Sequence, residues 1–204
     1  MPPSPRIDAA AASSQLVAEA LEKARADHAG QVRNGSGGMP YIEHPIAVAS
    51  LLDEHDFAEE VLAAALLHDV VEDSDTTVAE LHALFGEPVA GLVAALSDDE
   101  SIEDYRERKR EHRARVADVD GVALAIYGAD KLTNVLTLRR ALAAEGAVVA
   151  NEFKVPLALK AEAWEADARL LRQQAPGLPF LDELEAELNR LSADLAAAGL
   201  RRGT

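Results

Sequence analysis

Cysteine is absent from this chain and aromatic residues are scarce: 204 residues hold no Cys, one Trp and an aromatic share of 4%. Without thiols there can be no disulfide, no thiolate metal ligand and no cysteine nucleophile. Long apolar runs are missing too. The longest unbroken stretches, such as Val61 to Leu67, are far too short to cross a bilayer, so no membrane partner is expected. The opening Met-Pro-Pro-Ser-Pro has neither the basic start nor the apolar run of a signal peptide, which leads us to expect a cytoplasmic protein. Positive charge is the last deficit. Twenty Lys and Arg against 36 Asp and Glu leave a formal charge of -16, which argues against nucleic acid, since a polyanion binder normally carries a basic footprint.

What is present favours helices. Hydrophobic residues make up 49% of the chain, dominated by alanine and leucine, which prefer helix over strand. The length suits one compact domain with its own core. Residues 1–8 are proline-rich and read as a disordered N-terminus, leaving 9–200 as a single domain. A first helix is expected from about Ala9 to Ala29, ending at Gly30, before the glycine-rich loop Asn34 to Gly38. Pro45 suits the first turn of a second helix and would put His44 at its N-cap. Asp56-Phe57-Ala58-Glu59 has the pattern of a capping box opening a third helix, running to about Asp73, and Thr77-Val78-Ala79-Glu80 opens a fourth in the same way. Pro88 starts a fifth, Asp120 can cap a helix over 122–144, and amphipathic helices over about 153–174 and 179–198 close the chain. No strand alternation or internal repeat is visible, so the expected fold is an all-α bundle of about eight to ten helices.

His-Asp occurs twice, and context separates the two. His55-Asp56 lies in a polar run where Asp56 has a capping role. His68-Asp69 instead ends Val61 to Leu67, a stretch apolar all round and therefore buried. A buried His-Asp-x-x-Glu-Asp is costly unless its carboxylates are paired or bound to a cation. At helical spacing His68 and Glu72 would share one face, with Asp69 and Asp73 on the adjacent one. The plainer alternative is an internal hydrogen-bond network. Asp130 likewise falls within an apolar stretch, where pairing with Lys131 or Asn134 is the ordinary role and metal ligation the sharper one. With His44, these residues supply two imidazoles and two carboxylates, a donor set suited to Mn2+, Fe2+ or Zn2+ with positions left open. Six cations crowd Arg106 to Arg115. A solvated helix paired through Glu107 and Glu111 accounts for them more simply than a phosphate-binding face.

The runs His28-Ala29-Gly30-Gln31, Tyr41-Ile42-x-His44-Pro45 and Leu67-His68-Asp69-Val70-Val71-Glu72-Asp73 resemble the hydrolase half of the RelA/SpoT alarmone enzymes, a subgroup of the HD-domain phosphohydrolases. Phe85-Gly86-Glu87-Pro88-Val89, Ser97-Asp98-Asp99 and Ala129-Asp130-Lys131-Leu132-Thr133-Asn134 fit it too. The match covers residues 15 to 140 or so, and the chain's shortness is similar to the stand-alone small alarmone hydrolases. The resemblance implies His44, His68, Asp69 and Asp130 as metal ligands, with Mn2+ preferred, and Glu72 and Asp73 as catalytic carboxylates. It also implies a small-molecule nucleotide substrate, guanosine tetra- or pentaphosphate, losing its 3′-pyrophosphate. Arg33, Tyr41, Asn134, Arg108, Lys109 and Lys154 are the candidate substrate contacts, with Lys160 able to serve beside Lys154. Asn34 and Glu100 stand where the family usually carries cations, so weaker substrate binding is expected. A different phosphorylated nucleotide, such as a nucleoside monophosphate or the 2′-phosphate of NADPH, is the alternative substrate. A non-catalytic nucleotide-binding module ranks last, having no need of Glu72 and Asp73. Self-association into a homo-oligomer is compatible with the sequence.

Overall fold

The computed structural model describes residues 5–99, 101–119 and 121–200. Ten α-helices are found among them: α1 (Pro5–Ser13), α2 (Gln15–Asp27), α3 (Glu43–Asp53), α4 (Glu59–Leu67), α5 (Val70–Asp73), α6 (Val78–Leu96), α7 (Tyr105–Ala117), α8 (Gly121–Glu145), α9 (Leu157–Gln174) and α10 (Leu181–Ala197). A 3-10 segment, Gly146–Glu152, joins α8 to α9. The fold is all-α. The sole strand-like feature among the described residues is an isolated bridge between Val32 and Pro40.

Two helices form the spine. All seven residues from Val61 to Leu67 on α4 are buried, as their unbroken apolarity requires. On α8 the whole run from Ala123 to Thr133 is buried, including Asp130 and Lys131. Helices α2, α3 and α6 pack around α4, while α9 and α10 cover α8. Gly128 permits that cover. A Cβ there would lie 3.1 Å from Phe180 Cε2 and 3.3 Å from Leu171 Cδ1. Alanine would regain about 1 kcal/mol of helix propensity against a small clash, whereas a larger side chain forces repacking at about 1–3 kcal/mol. We expect Gly128→Ala to be near neutral and Gly128→Leu to lower the thermal midpoint by several degrees in a melting scan.

Several expected boundaries move. Pro5 starts α1 and Ile7 is fully buried, so residues 5–8 are ordered helix; residues 1–4 lie outside the described set. The long first helix is two, because Ser14 leaves helical geometry and its hydroxyl caps Val17 N–H to start α2. His44 is not an N-cap but a buried residue inside the first turn of α3, beside Pro45. Asp56 is not a cap either: it adopts φ 57 in the turn before α4, whose N-cap is Ala58 with no side-chain bond. Ser14 reaches across to Glu59 in the first turn of α4 instead. Thr77 does cap α6, accepting from Glu80 N–H. The expected cap at Asp120 lies outside the described residues.

α6 is, by length and composition, the one described helix apolar enough to span a bilayer, a feature hidden from a count of unbroken runs. It is nevertheless broken at Gly86, φ 77, and resumes at Pro88. Leu81 on the first half and Val89, Ala90, Val93 and Leu96 on the second are buried against the bundle.

Candidate metal centre and active site

The helix expected to run through residue 73 stops at Leu67, and that break builds the site. His68 Nδ1–H donates to Ala65 O at 2.8 Å, leaving Nε2 as the nitrogen facing inward. Asp69 sits at φ -97, ψ -7 between α4 and the single turn α5. His68 and Asp69 therefore meet His44 of α3 and Asp130 of α8, while Glu72 and Asp73 follow on the short turn α5 and line the same cavity. Helical spacing alone would have placed His68 and Glu72 on one face.

His44 from α3, His68 capping the end of α4 and Asp130 from α8 bring ligand atoms within 4.8 Å of one another. His44 Nε2 lies 3.1 Å from Asp130 Oδ1 and 3.5 Å from Asp69 Oδ2. His68 Nε2 lies 3.2 Å from Asp69 Oδ1 and 3.8 Å from Asp130 Oδ1. Both Nε2 atoms are buried with no hydrogen-bond partner. The Thr133 hydroxyl donates to Asp130 O at 2.9 Å, so its lone pair faces His44 Nδ1, 3.4 Å away. Each imidazole thus has its outer nitrogen occupied and its inner nitrogen free, the tautomer a metal ligand needs. Two orphaned imidazole nitrogens converging on carboxylate oxygens fit a divalent cation.

The carboxylates are held by neighbours. Asp130 accepts from Lys131 Nζ at 2.6 Å and from Asn134 Nδ2 at 2.5 Å, and Asn134 Oδ1 accepts from Arg33 at 2.5 Å. Tyr41 donates to Asp69 Oδ2 at 2.8 Å and stacks on His28 with ring centroids 4.7 Å apart. Charge follows this arrangement. Burial, then Arg33, lowers His44 to about 4, whereas Asp69 and Asp130 overcome burial and carry His68 up to about 9, so His68 Nε2 holds a proton at neutral pH that a bound cation would displace.

Glu72 accepts from Asp98 N–H at 2.8 Å. The Asp98 carboxylate is fixed by Lys109 and by His112 Nδ1 at 2.7 Å, which against the cost of burial hold its pKa well below the usual range. Burial and the Asp69 charge push Glu72 up to about 7, while partial burial raises Asp73 beside Tyr41. A carboxylate half-ionised near neutrality is matched to taking a proton from water. Its active form is the anion, so turnover should fall as pH drops through about 7. We expect kcat/KM to show an acid limb with an apparent pKa near 7 that Glu72→Gln removes.

These groups share one cavity of about 580 Å³. Of the expected substrate contacts, Arg33, Tyr41, Asn134 and Lys109 line it. Arg108 and Lys154 do not: Arg108 donates to Ile102 O, and Lys154 is exposed ahead of α9. Lys160, one turn into α9, takes the position expected of Lys154. Asn34 lines the cavity but is exposed; Glu100 lies outside the described residues. The basic run of α7 is mostly paired along and beside its helix, Arg110 with Glu107, Arg115 with Glu111, Arg113 with Asp167 and Arg106 with Glu162. Only Lys109 of that run enters the cavity.

The sequence reading missed the aromatic wall. Tyr105, Tyr127, Phe153 and Trp164 line the cavity with Tyr41, so all three tyrosines and the lone tryptophan of an aromatic-poor chain gather here. That scarcity was the available signal. The glycine-rich loop adds Asn34 and Gly35 to the lining. Gly35, at φ 68, sits so near Phe153 that a Cβ would approach its ring to 2.5 Å, and its N–H donates to Glu152 at 2.6 Å.

An all-helical fold carrying a His, His-Asp, Asp site across three helices defines the class: the HD-domain family model matches residues 20–155, and the chain belongs to that family. Within it, the chain is 39% identical over 130 residues to the guanosine-3′,5′-bis(diphosphate) 3′-pyrophosphohydrolase MESH1 of Danio rerio, covering 63% of this chain and 72% of that protein. It is 41% identical over 122 residues to the bifunctional (p)ppGpp synthase/hydrolase SpoT of Escherichia coli K12, covering 56% of this chain and 17% of SpoT. A solved metazoan ortholog of SpoT, described as hydrolysing ppGpp, aligns with a TM-score of 0.64 at 29% identity over 92% of this chain and 97% of that one. The structure of lmo0812 from Listeria monocytogenes EGD-e aligns with a TM-score of 0.66 at 32% identity, over 72% and 97% respectively.

Proposed function

We propose that the protein hydrolyses guanosine tetra- and pentaphosphate, releasing 3′-pyrophosphate and leaving GDP or GTP. One observation carries the reading: orphaned imidazole nitrogens and carboxylates converge beside Glu72, poised near neutrality, in a cavity walled by aromatic rings. The names of the relatives support it.

His44, His68, Asp69 and Asp130 would hold the cation, with Mn2+ our preferred ion. A bound divalent cation supplies acidity to water and Lewis-acid polarisation to a phosphoryl oxygen. Glu72, held by the Asp98 amide, accepts the proton of the attacking water. Asp73, at the cavity edge beside Tyr41, orients that water or handles the leaving pyrophosphate. Arg33, anchored through Asn134, neutralises the phosphate under attack. The rings opposite offer faces on which a purine can stack.

The test is to assay metal-loaded protein against guanosine tetraphosphate, NADPH and nucleoside monophosphates, separating pyrophosphate from orthophosphate. Pyrophosphate from guanosine tetraphosphate at the highest kcat/KM is the expected result. Faster orthophosphate release from NADPH or a monophosphate would assign the site to that substrate.

A further inference from the structure

Four cationic side chains line the cavity, and three have their charge answered or engaged. Lys109 pairs with Asp98, Lys131 with Asp130, and Arg33 bonds Asn134 while lying over the Tyr41 ring. Lys160 has no carboxylate partner among the described residues. Its ammonium lies 5.4 Å from the Phe153 ring centroid, 5.8 Å from Trp164 and 5.9 Å from Tyr105. Such contacts recover only part of what a half-buried cation loses on leaving water. Its neighbours add to the cost. Burial, then the charges of Lys109, Arg33 and Lys131, depress Lys160 to about 8. A position so expensive for a lone ammonium is explained if an anion completes it.

We propose that Lys160 is the specificity-determining residue that anchors a second phosphate, the 5′-phosphate group of the nucleotide, and so selects substrates phosphorylated on both sides of the ribose. This rests on reading the cavity as a nucleotide phosphohydrolase site. Asp130 and Lys131 stand on α8 and Lys160 on α9, two walls of one cavity. A nucleoside with phosphates at both ends can meet the metal site with one and Lys160 with the other, its base against the rings. A nucleotide phosphorylated only at the scissile end leaves Lys160 half-buried and unpaired, which is a penalty against it.

Trp164 is the chain's one tryptophan and adjoins Lys160, so its fluorescence reports binding without turnover. Metal-loaded wild type, Lys160→Met and Lys160→Arg are titrated with GDP and with guanosine. Wild type should prefer GDP by tenfold or more, Lys160→Met should bind the two equally, and Lys160→Arg should keep most of the preference. The wild-type preference should also fade above pH 8, where the ammonium is lost, but persist in Lys160→Arg. A preference unchanged in Lys160→Met, or absent from wild type, overturns the anchor. Pyrophosphate release from guanosine tetraphosphate is scored separately. Release without GDP preference overturns the anchor alone, whereas a Lys160-dependent GDP preference supports the anchor even where no release is seen, which overturns the proposed reaction.

Discussion

Asp130→Ala should abolish stoichiometric metal binding and lower turnover about a thousandfold or more, a loss of roughly 4 kcal/mol in transition-state stabilisation. Asp130 Oδ1 is a single oxygen near both imidazole nitrogens; Asp69 turns a different oxygen to each and is already committed as a ligand of its own, so it does not replace Asp130. The same change has a second, separable cost. Lys131 is buried and its ammonium lies 2.6 Å from Asp130, with the Tyr127 ring 4.2 Å away as its other contact. Removing one partner of a buried ion pair typically costs about 3–5 kcal/mol, because the other charge stays behind. In a domain of this size that is a fall in thermal midpoint on the order of 10 °C. Asp130→Ala combined with Lys131→Met should recover most of the stability and none of the metal. Elemental analysis and melting scans on both variants separate the two roles. Full metal content in the single variant would remove Asp130 from the ligand set.

That dual role explains why the site was only partly legible in the sequence. His68 and Asp69 stand out because a polar pair closes seven consecutive apolar residues, and burial makes such a pair costly. Asp130 also follows an apolar stretch, but Lys131 beside it and Asn134 one turn on offer it ordinary partners. Pairing with Lys131 and Asn134, the plainer reading, is present in the structure alongside its place among the imidazoles. The helix break after Leu67 was illegible because neither glycine nor proline marks it; His68 bonding back to Ala65 O and the tertiary pull of the site decide it. Orientation around a helix was equally hidden. Arg108 and Lys109 are adjacent in sequence, but about 100° of rotation separates them and only Lys109 reaches the cavity. The aromatic wall draws on α7, α8, the end of the 3-10 segment and α9, so no local window contains it. Fold class, by contrast, follows from alanine, leucine and capping patterns that are local by nature.

Glu72→Gln should lower kcat by a hundredfold or more while leaving the metal in place, since Glu72 bonds the Asp98 amide and stands apart from the imidazole–carboxylate cluster. The variant should also be more stable than the wild type in the metal-free state. Glu72 is raised from 4.5 to about 7, so between those values the folded protein binds more protons than the unfolded chain. Stability attributable to this group therefore falls as pH rises through that window, and above pH 7 the buried anion carries its full penalty. At about 1.4 kcal/mol per unit the shift sets an upper bound of about 3.5 kcal/mol, of which glutamine, still able to accept from the Asp98 amide, recovers part. A midpoint a few degrees higher at pH 8, with the gain vanishing near pH 4, is the expected result. Slower turnover with higher stability is the signature of a group kept for chemistry at the expense of folding. A parallel loss of metal and activity would instead make Glu72 a ligand. A lower midpoint at pH 8 would show that its bond to Asp98 outweighs the cost of its charge.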